Sequence, residues 1–125
     1  NRGEYIVLQM EKENLKAMGR PALAKKVRPA ICDADGYDIL SYNIDESKKH
    51  IEVKATTQSV GEANFYISIN ELNKAEKLEN YQLYIVYEIL STKPKVWNTG
   101  NPFQPENPDI RISPLLFKVK INTSS

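Results

Sequence analysis

The chain has 125 residues, of which 41% are hydrophobic and 26% charged, and these values are typical of a single soluble globular domain. Its 17 basic and 16 acidic residues leave a net charge of +1, which argues against a strongly basic protein that coats DNA and leaves only a local patch for nucleic-acid binding. One cysteine and one histidine exclude an intrachain disulfide, a cysteine-rich zinc site and a cluster of histidine metal ligands.

The sequence contains no apolar run near the roughly 20 residues that a membrane-spanning helix needs, and its start lacks a signal-peptide pattern. We therefore expect no membrane partner and an intracellular location, which would be the cytoplasm in a bacterium. Because the chain begins with Asn and ends in small polar residues, we expect residues 1–125 to be one domain excised from a longer multidomain protein. The other domains of that protein would then be partners.

The first predicted element is a helix over residues 3–18, where strong helix formers dominate. Gly19 supplies a stop for this helix, and Pro21 follows two residues later. One face of the helix combines apolar residues with two acids, Glu4 and Glu11, at helical spacing.

The rest of the chain alternates strands and helices. Residues 69–78 are predicted to be helical because Ser68 and Glu71 form a capping-box pattern, and Glu71 is interpreted as the acid of that cap. The further predicted ranges are a helical turn at 22–26, a short edge strand at 27–32, strands at 37–42, 50–56, 65–68, 81–90 and 95–99, and a closing strand or helix at 116–121. This order predicts an α/β fold with a mixed β-sheet flanked by helices.

Two neighbouring predicted strands carry the most informative residues. Asp38 lies on the first strand, and Glu52 and Lys54 lie two residues apart on the second. Because side chains alternate between the faces of a strand, Glu52 and Lys54 point the same way, and hairpin pairing would bring Asp38 into the same pocket. Two carboxylates can hold a hard divalent cation, and a neighbouring lysine can serve an attacking water. This set predicts a metal-dependent phosphodiesterase.

The order of these residues argues for catalysis, because an acid-x-lysine triplet alone is also common on a half-exposed strand. Here the triplet follows Asp38 after 13 intervening residues, comes after an amphipathic helix, and precedes another strand and helix. This arrangement resembles the PD-(D/E)XK nuclease core, a restriction-endonuclease-like fold in which the first acid and the triplet lie on adjacent strands. The sequence departs from that motif at Tyr37, which stands where the proline of the motif would be.

Several separate blocks also resemble the protein NO VEIN, C-terminal domain, a family of unknown function that is often attached to helicases, ATPases and restriction-type systems. In chain order, the blocks are residues 3–4, 19–20, 36–41, 51–54, 65–71 and 81–84. The resemblance implies a nuclease-like domain that acts on DNA within a restriction, defence or helicase- or ATPase-linked DNA-processing protein.

The resemblance also implies roles for individual residues. Asp38 and Glu52 would be the carboxylate ligands of Mg²⁺ or Mn²⁺, and the carbonyl of Val53 would be a further ligand. Lys54 would orient or deprotonate the attacking water, or stabilise charge on the phosphate. Glu4 matches the place where many such nucleases add another catalytic acid, although a first-turn glutamate is also favoured by the helix dipole.

Contacts to nucleic acid are expected from two further groups of polar residues. Thr56 and Gln58 follow the lysine strand and could touch a phosphate backbone, although loop polarity explains them equally well. Lys25, Lys26 and Arg28 form the densest positive cluster, which is either a phosphate contact or a solvated face.

The predicted function is therefore a metal-dependent endonuclease that cleaves DNA, and a homodimer would let it cut both strands. The main alternative is a catalytically inactive module that kept the nuclease fold and binds nucleic acid or protein; an enzyme acting on another phosphoester is a third interpretation. The near-neutral charge favours the inactive module, whereas intact Asp38, Glu52 and Lys54 favour catalysis. His50, the only histidine, is expected to face solvent at the start of its strand.

Overall fold

A mixed five-stranded sheet, in the order β1-β2-β3-β4-β5, organises the part of the chain that the computed structural model describes, residues 1–60, 65–101, 103 and 121. The strands are β1 (Arg28–Pro29), β2 (Ile39–Tyr42), β3 (Lys48–Ala55), β4 (Tyr81–Tyr87) and β5 (Lys95–Asn98). The helices in the same ranges are α1 (Arg2–Ala17), α2 (Pro21–Ala24) and α3 (Ile69–Lys77), with a short 3-10 helix at Asp33–Asp35. The predicted α/β fold with a mixed sheet is confirmed.

Strand β3 lies at the centre of the sheet, antiparallel to β2 and parallel to β4. The β2–β3 hairpin pairs Ile39 with Ile51 and Tyr42 with Lys48. A parallel pair needs a crossover connection, and α3 lies in the connection from β3 to β4. Strand β1 is at the edge, as predicted, where the missing N–H of Pro29 removes no bond from a central ladder.

Helix α1 ends in a Schellman motif, which confirms the stop predicted at Gly19. Gly19 has a φ of 78°, and its N–H donates to the carbonyl of Lys16 at 3.0 Å. The N–H of Arg20 reaches one residue further back, to the carbonyl of Leu15 at 2.8 Å. The chain therefore reverses at this point, and α2 packs against α1.

Helices cover both faces of the central strand, and alternate residues of β3 point to opposite faces. Ile51 and Val53 lie in the core beneath α1, together with Val7. Glu52 and Lys54 point to the other face, where Lys54 meets the first turn of α3. A second apolar cluster comes from the neighbouring strand and the chain before α3, namely Leu83, Ile85, Tyr87 and Phe65.

Some predicted elements differ from the structure or lie outside its described part. Residues 65–68 are not a strand, because none of them pairs with a strand of the described sheet, and Ser68 instead serves as the N-cap of α3. Strand β4 ends at Tyr87 rather than at residue 90, since Glu88 has a φ of 52° that a strand cannot contain. Except for residue 121, the element predicted at 116–121 lies outside the described residues. No helix in the described ranges is long and apolar enough to cross a membrane.

Candidate active site

Asp38 lies at the junction between the loop before β2 and the sheet. Its N–H donates to the carbonyl of Ile51 at 2.8 Å, and its Oδ2 accepts the N–H of Val53 at 2.8 Å. The pairing of β2 with β3 ends at Ile51, so the Asp38 side chain takes up the next available N–H of β3. The predicted proximity of Asp38 to the Glu52–Lys54 strand is therefore present, although Asp38 precedes β2 rather than belonging to it.

Glu52 and Lys54 share one face of β3, as their spacing predicts. Glu52 is only 3% exposed, whereas the side chain of Lys54 is 21% exposed. The Lys54 Nζ lies 3.5 Å from Oε1 of Glu52. The lysine therefore lies between a buried acid and solvent, a position from which it can contact an incoming anion.

Glu71 brings a further carboxylate to this face from the first turn of α3. Its Oε1 accepts the N–H of Ser68 at 2.9 Å, and its own N–H donates to Oγ of Ser68 at 3.0 Å, which confirms the predicted capping box. The same carboxylate also contacts Nζ of Lys54, at 3.3 Å from Oε1 and 3.2 Å from Oε2. Sequence reasoning identified the cap but missed this second contact.

The two glutamates differ sharply in protonation. Burial raises the pKa of Glu52 to about 10, helped by its hydrogen bond to Glu71 and by the charges of Asp38 and Glu71. Burial also opposes ionisation of Glu71, but hydrogen bonds from Glu52 and the Ser68 backbone, with the charge of Lys54, lower the pKa of Glu71 to about 2. Glu52 therefore holds a proton near neutral pH while Glu71 is ionised. Glu71 is then the charged partner of Lys54.

Tyr81 supplies a buried hydroxyl on the same face. The residue is 2% exposed, and its hydroxyl has no hydrogen-bond partner among the residues that the structure describes. Burial raises the pKa of Tyr81, and the charges that Glu52, Glu71 and Asp38 carry at the alkaline pH where a tyrosine titrates raise it further. The phenol therefore stays protonated and offers a donor close to the acids.

The prediction that His50 faces solvent is wrong. His50 is buried, its Nδ1 lies 2.7 Å from the carbonyl oxygen of Glu79, and its ring packs edge-on against Tyr37 with centroids 4.9 Å apart. The reason is the period of the strand, since His50 shares the face of Glu52 and that face is covered rather than open.

The candidate donors for a hard divalent cation are oxygen atoms. Asp38 and Glu52 offer carboxylate oxygens, which Mg²⁺ and Mn²⁺ prefer. The N–H and C=O of one strand residue point to the same edge, so the Val53 carbonyl lies on the Asp38 side as well. Within the described ranges, no group of three or more acid, histidine or cysteine side chains converges on one ion position. A divalent ion at this position would therefore depend on two carboxylates and a main-chain carbonyl.

Three further predicted site residues, Glu4, Thr56 and Gln58, belong to segments near the carboxyl end of β3. Glu4 belongs to α1, which packs on the face of the sheet opposite Glu52. In the same turn, a Cβ added to Gly3 would lie 3.2 Å from the Cβ of Ala55. The first turn of α1 therefore lies beside the carboxyl end of β3. Thr56 and Gln58 follow that end, where the N–H of Gln58 donates to Oγ1 of Thr56 at 3.1 Å.

The predicted basic cluster is separate from the acids. Lys25 and Lys26 follow α2 and Arg28 begins β1, and all three are exposed. Because β2 lies between β1 and β3, this cluster is at the edge of the sheet rather than beside Glu52. The structure does not bring it together with the acid-lysine residues.

A second buried polar cluster lies on the α1 face, and sequence reasoning did not assemble it. Glu11, 3% exposed, accepts hydrogen bonds from Oγ of Ser41 at 2.9 Å and from the hydroxyl of Tyr84 at 3.0 Å. Lys49 forms an ion pair with Glu11 and donates to the Tyr84 hydroxyl at 3.1 Å. The position of Glu11 on the partly apolar face of α1 indicated a buried acid, but the sequence did not predict which residues would bind it.

Comparison with known proteins identifies a family for this chain. No curated protein and no solved structure matches the chain. Residues 3–99 match the family described as "Protein NO VEIN, C-terminal", a span that includes α1 from Gly3 onward, the five strands of the described sheet and α3. The chain therefore belongs to the protein NO VEIN, C-terminal family.

Proposed function

We propose that this domain is a metal-dependent nuclease with a restriction-endonuclease-like core, which cleaves DNA phosphodiester bonds with Mg²⁺ or Mn²⁺. The observation that carries the proposal is that Asp38 bonds to β3 at Val53, the residue between Glu52 and Lys54, at the point where the β2–β3 pairing ends. The order of these residues along the chain is that of the PD-(D/E)XK core. The parent protein would then act in restriction, defence or helicase- or ATPase-linked DNA processing.

The residues of the proposed site have two roles, one for the buried ligands of the ion and one for the more exposed lysine. Asp38, Glu52 and the carbonyl of Val53 would hold the ion, with Glu52 giving up its proton to do so. A bound divalent ion would polarise the scissile phosphate and make a water easier to deprotonate. Lys54, the more exposed member, would contact a phosphate oxygen or the attacking water, where its positive charge stabilises developing negative charge.

DNA is the proposed substrate because the family resemblance points to DNA-processing proteins. The net charge of +1 implies that binding relies on contacts near the site rather than on a basic surface. Thr56 and Gln58 are the nearest proposed backbone contacts in the chain, since they follow the strand that carries Lys54. The exposed group of Lys25, Lys26 and Arg28 would contact only a longer duplex that extends past the edge of the sheet.

The proposal is tested by measuring metal binding and DNA cleavage in the same variants. Mn²⁺ is titrated calorimetrically into the wild type and Glu52→Gln, and plasmid cleavage is followed with Mg²⁺, with Mn²⁺ and with a chelator. Lys54→Ala should lose cleavage while keeping Mn²⁺ binding. Lys48→Ala removes an exposed lysine from the same strand and is the matched control.

The outcomes separate the proposed nuclease from its rivals. Cleavage that requires the metal, Glu52 and Lys54 supports the nuclease. DNA binding by a wild type that neither binds Mn²⁺ nor cuts would identify the inactive binding module instead. Metal binding without cleavage of any nucleic acid would move the proposal to another phosphoester.

A further inference from the structure

The carboxylate of Glu71 has two partners that belong to different elements. One is the backbone N–H of Ser68 at the start of α3, and the other is the ammonium of Lys54 on β3. A capping box needs only one acceptor oxygen for the N-cap N–H. The contacts of both Oε1 and Oε2 with Lys54 therefore lie beyond what helix capping explains.

The distances identify Glu71 as the closer acid partner of Lys54. Its nearer oxygen lies 3.2 Å from Nζ, whereas Glu52 lies at 3.5 Å. Glu71 and Lys54 have similar exposure, with 19% and 21% of their side chains accessible, so the pair is at the rim of the site and partly shielded from water. A lysine has a long flexible side chain, and a partly shielded partner with two contacts restricts where its ammonium can lie.

The backbone of α3 in turn holds Glu71. The hydrogen bond from the Ser68 N–H fixes Oε1, and the helix places this carboxylate over the α3 face of β3. Glu71 thus connects the start of α3 to the long side chain of Lys54. The acid that completes the helix cap is the same acid that pairs with the lysine.

We propose that Glu71 is a positioning residue for the nuclease reaction, which holds the Lys54 ammonium beside Glu52 so that it meets the scissile phosphate or the attacking water. This inference rests on the proposed nuclease function. Glu71 acts through Lys54 and is not itself expected to touch the substrate.

A conservative substitution separates positioning from capping. In Glu71→Gln the amide oxygen can still accept the Ser68 N–H, because Gln also completes a capping box, but the charge that holds Lys54 is gone. Ser68→Ala does the reverse, removing the hydroxyl cap while keeping the Glu71 charge. Glu76→Gln makes the same chemical change at an exposed position of α3 and is the matched control.

Two readouts decide the inference. Cleavage kinetics should show that Glu71→Gln lowers kcat by about 10- to 100-fold, the size expected for a displaced catalytic group, with a smaller change in KM. Glu76→Gln should stay within about threefold of the wild type, and Ser68→Ala, which keeps the Glu71 charge, should lose less of its kcat than Glu71→Gln. The second readout is the proton–nitrogen NMR signal of the Lys54 ammonium, which should be present in the wild type and in Glu76→Gln but lost in Glu71→Gln.

Each outcome supports or overturns the inference. Wild-type kcat in Glu71→Gln overturns it while leaving the nuclease function standing. If the wild type cuts no DNA, the nuclease function fails, and the ammonium signal then decides alone whether Glu71 holds Lys54. A Lys54 signal that is equal in the wild type and Glu71→Gln, or missing from both, overturns the inference in either case.

Discussion

The side chain of Asp38 bonds to β3 where the pairing of β2 with β3 stops: its Oδ2 accepts the N–H of Val53 at 2.8 Å, two residues beyond Ile51, which belongs to the last paired residues. The proposed metal ligand is therefore also a structural acceptor. Val53 is buried, so its N–H would have little access to water without Asp38. A substitution at Asp38 changes the fold and the chemistry together unless the acceptor is kept.

Asp38→Asn and Asp38→Ala should separate these two roles. Asp38→Ala leaves the buried Val53 N–H without its acceptor, so we expect it to lower the free energy of unfolding by about 1–3 kcal/mol. Asp38→Asn keeps a carbonyl oxygen there and should lose much less stability, while both variants should lose metal-dependent cleavage. Urea unfolding followed by circular dichroism measures the difference. Equal stability of Asp38→Ala and the wild type would show that the bond to Val53 contributes nothing.

Glu52→Gln should be nearly neutral for the metal-free fold. Because the pKa of Glu52 is raised to about 10, the wild-type side chain is a neutral acid at pH 7, and Gln has its shape and can still donate to Glu71. We expect the free energy of unfolding to change by less than about 1 kcal/mol, whereas Glu52→Ala should cost more because it leaves a void. Thermal unfolding of both variants at pH 7 is the measurement. A large loss of stability in Glu52→Gln would indicate that Glu52 is ionised in the folded protein.

The period-2 pattern of strands made part of the site predictable. Placing Glu52 and Lys54 on one face needs only the alternation of a strand, and Asp38 follows from hairpin pairing with β2. The same alternation puts His50 on that face, but the pattern does not reveal that the face is covered. Burial depends on α3 and the chain around it, which pack there only after the crossover is formed.

Contacts between distant elements could not be predicted in this way. The capping-box pattern is a local signal that explains why Ser68 and Glu71 stand at these positions. The sequence therefore contained no separate indication that Glu71 contacts Lys54. The strand predicted at residues 65–68 failed for a related reason. Four residues with strand propensity form a strand only where a neighbouring strand pairs with them, and the described sheet does not pair with residues 65–68.

Tyr84 should make the protein sensitive to alkaline pH. Burial raises its pKa above the usual range, and the charge of Glu11 and the hydrogen bond to Glu11 raise it further. The unfolded chain releases this proton near pH 10, whereas the folded protein retains it, so the stabilisation is complete below about pH 10 and is lost as pH rises above it. We expect a contribution of up to about 1.4 kcal/mol per pH unit there.

Tyr84→Phe tests this pH dependence, because it removes the titrating phenol from the cluster. Its free energy of unfolding, measured with urea between pH 9 and about pH 11.5, should fall less steeply with pH than that of the wild type. The exposed Tyr5 provides the matched control, and Tyr5→Phe should keep the wild-type slope. Equal slopes for Tyr84→Phe and the wild type would contradict the assignment.

Gly36→Ala should disturb the site from a distance, because Gly36 is where the loop before Asp38 meets α3. An added Cβ would lie 2.2 Å from Cγ and 2.8 Å from Cβ of Lys74, and the backbone φ of 76° is itself unfavourable for alanine. Gly19→Ala is the control, since its φ of 78° imposes the same backbone cost with nothing within 4 Å of the new methyl group. We expect Gly19→Ala to lower the free energy of unfolding by about 1 kcal/mol and Gly36→Ala by clearly more, as α3 is displaced. That displacement should also weaken the Glu71–Lys54 contact and reduce cleavage. If both variants lose the same stability and Gly36→Ala keeps full activity, then the position of α3 does not depend on the close approach of Gly36 to Lys74.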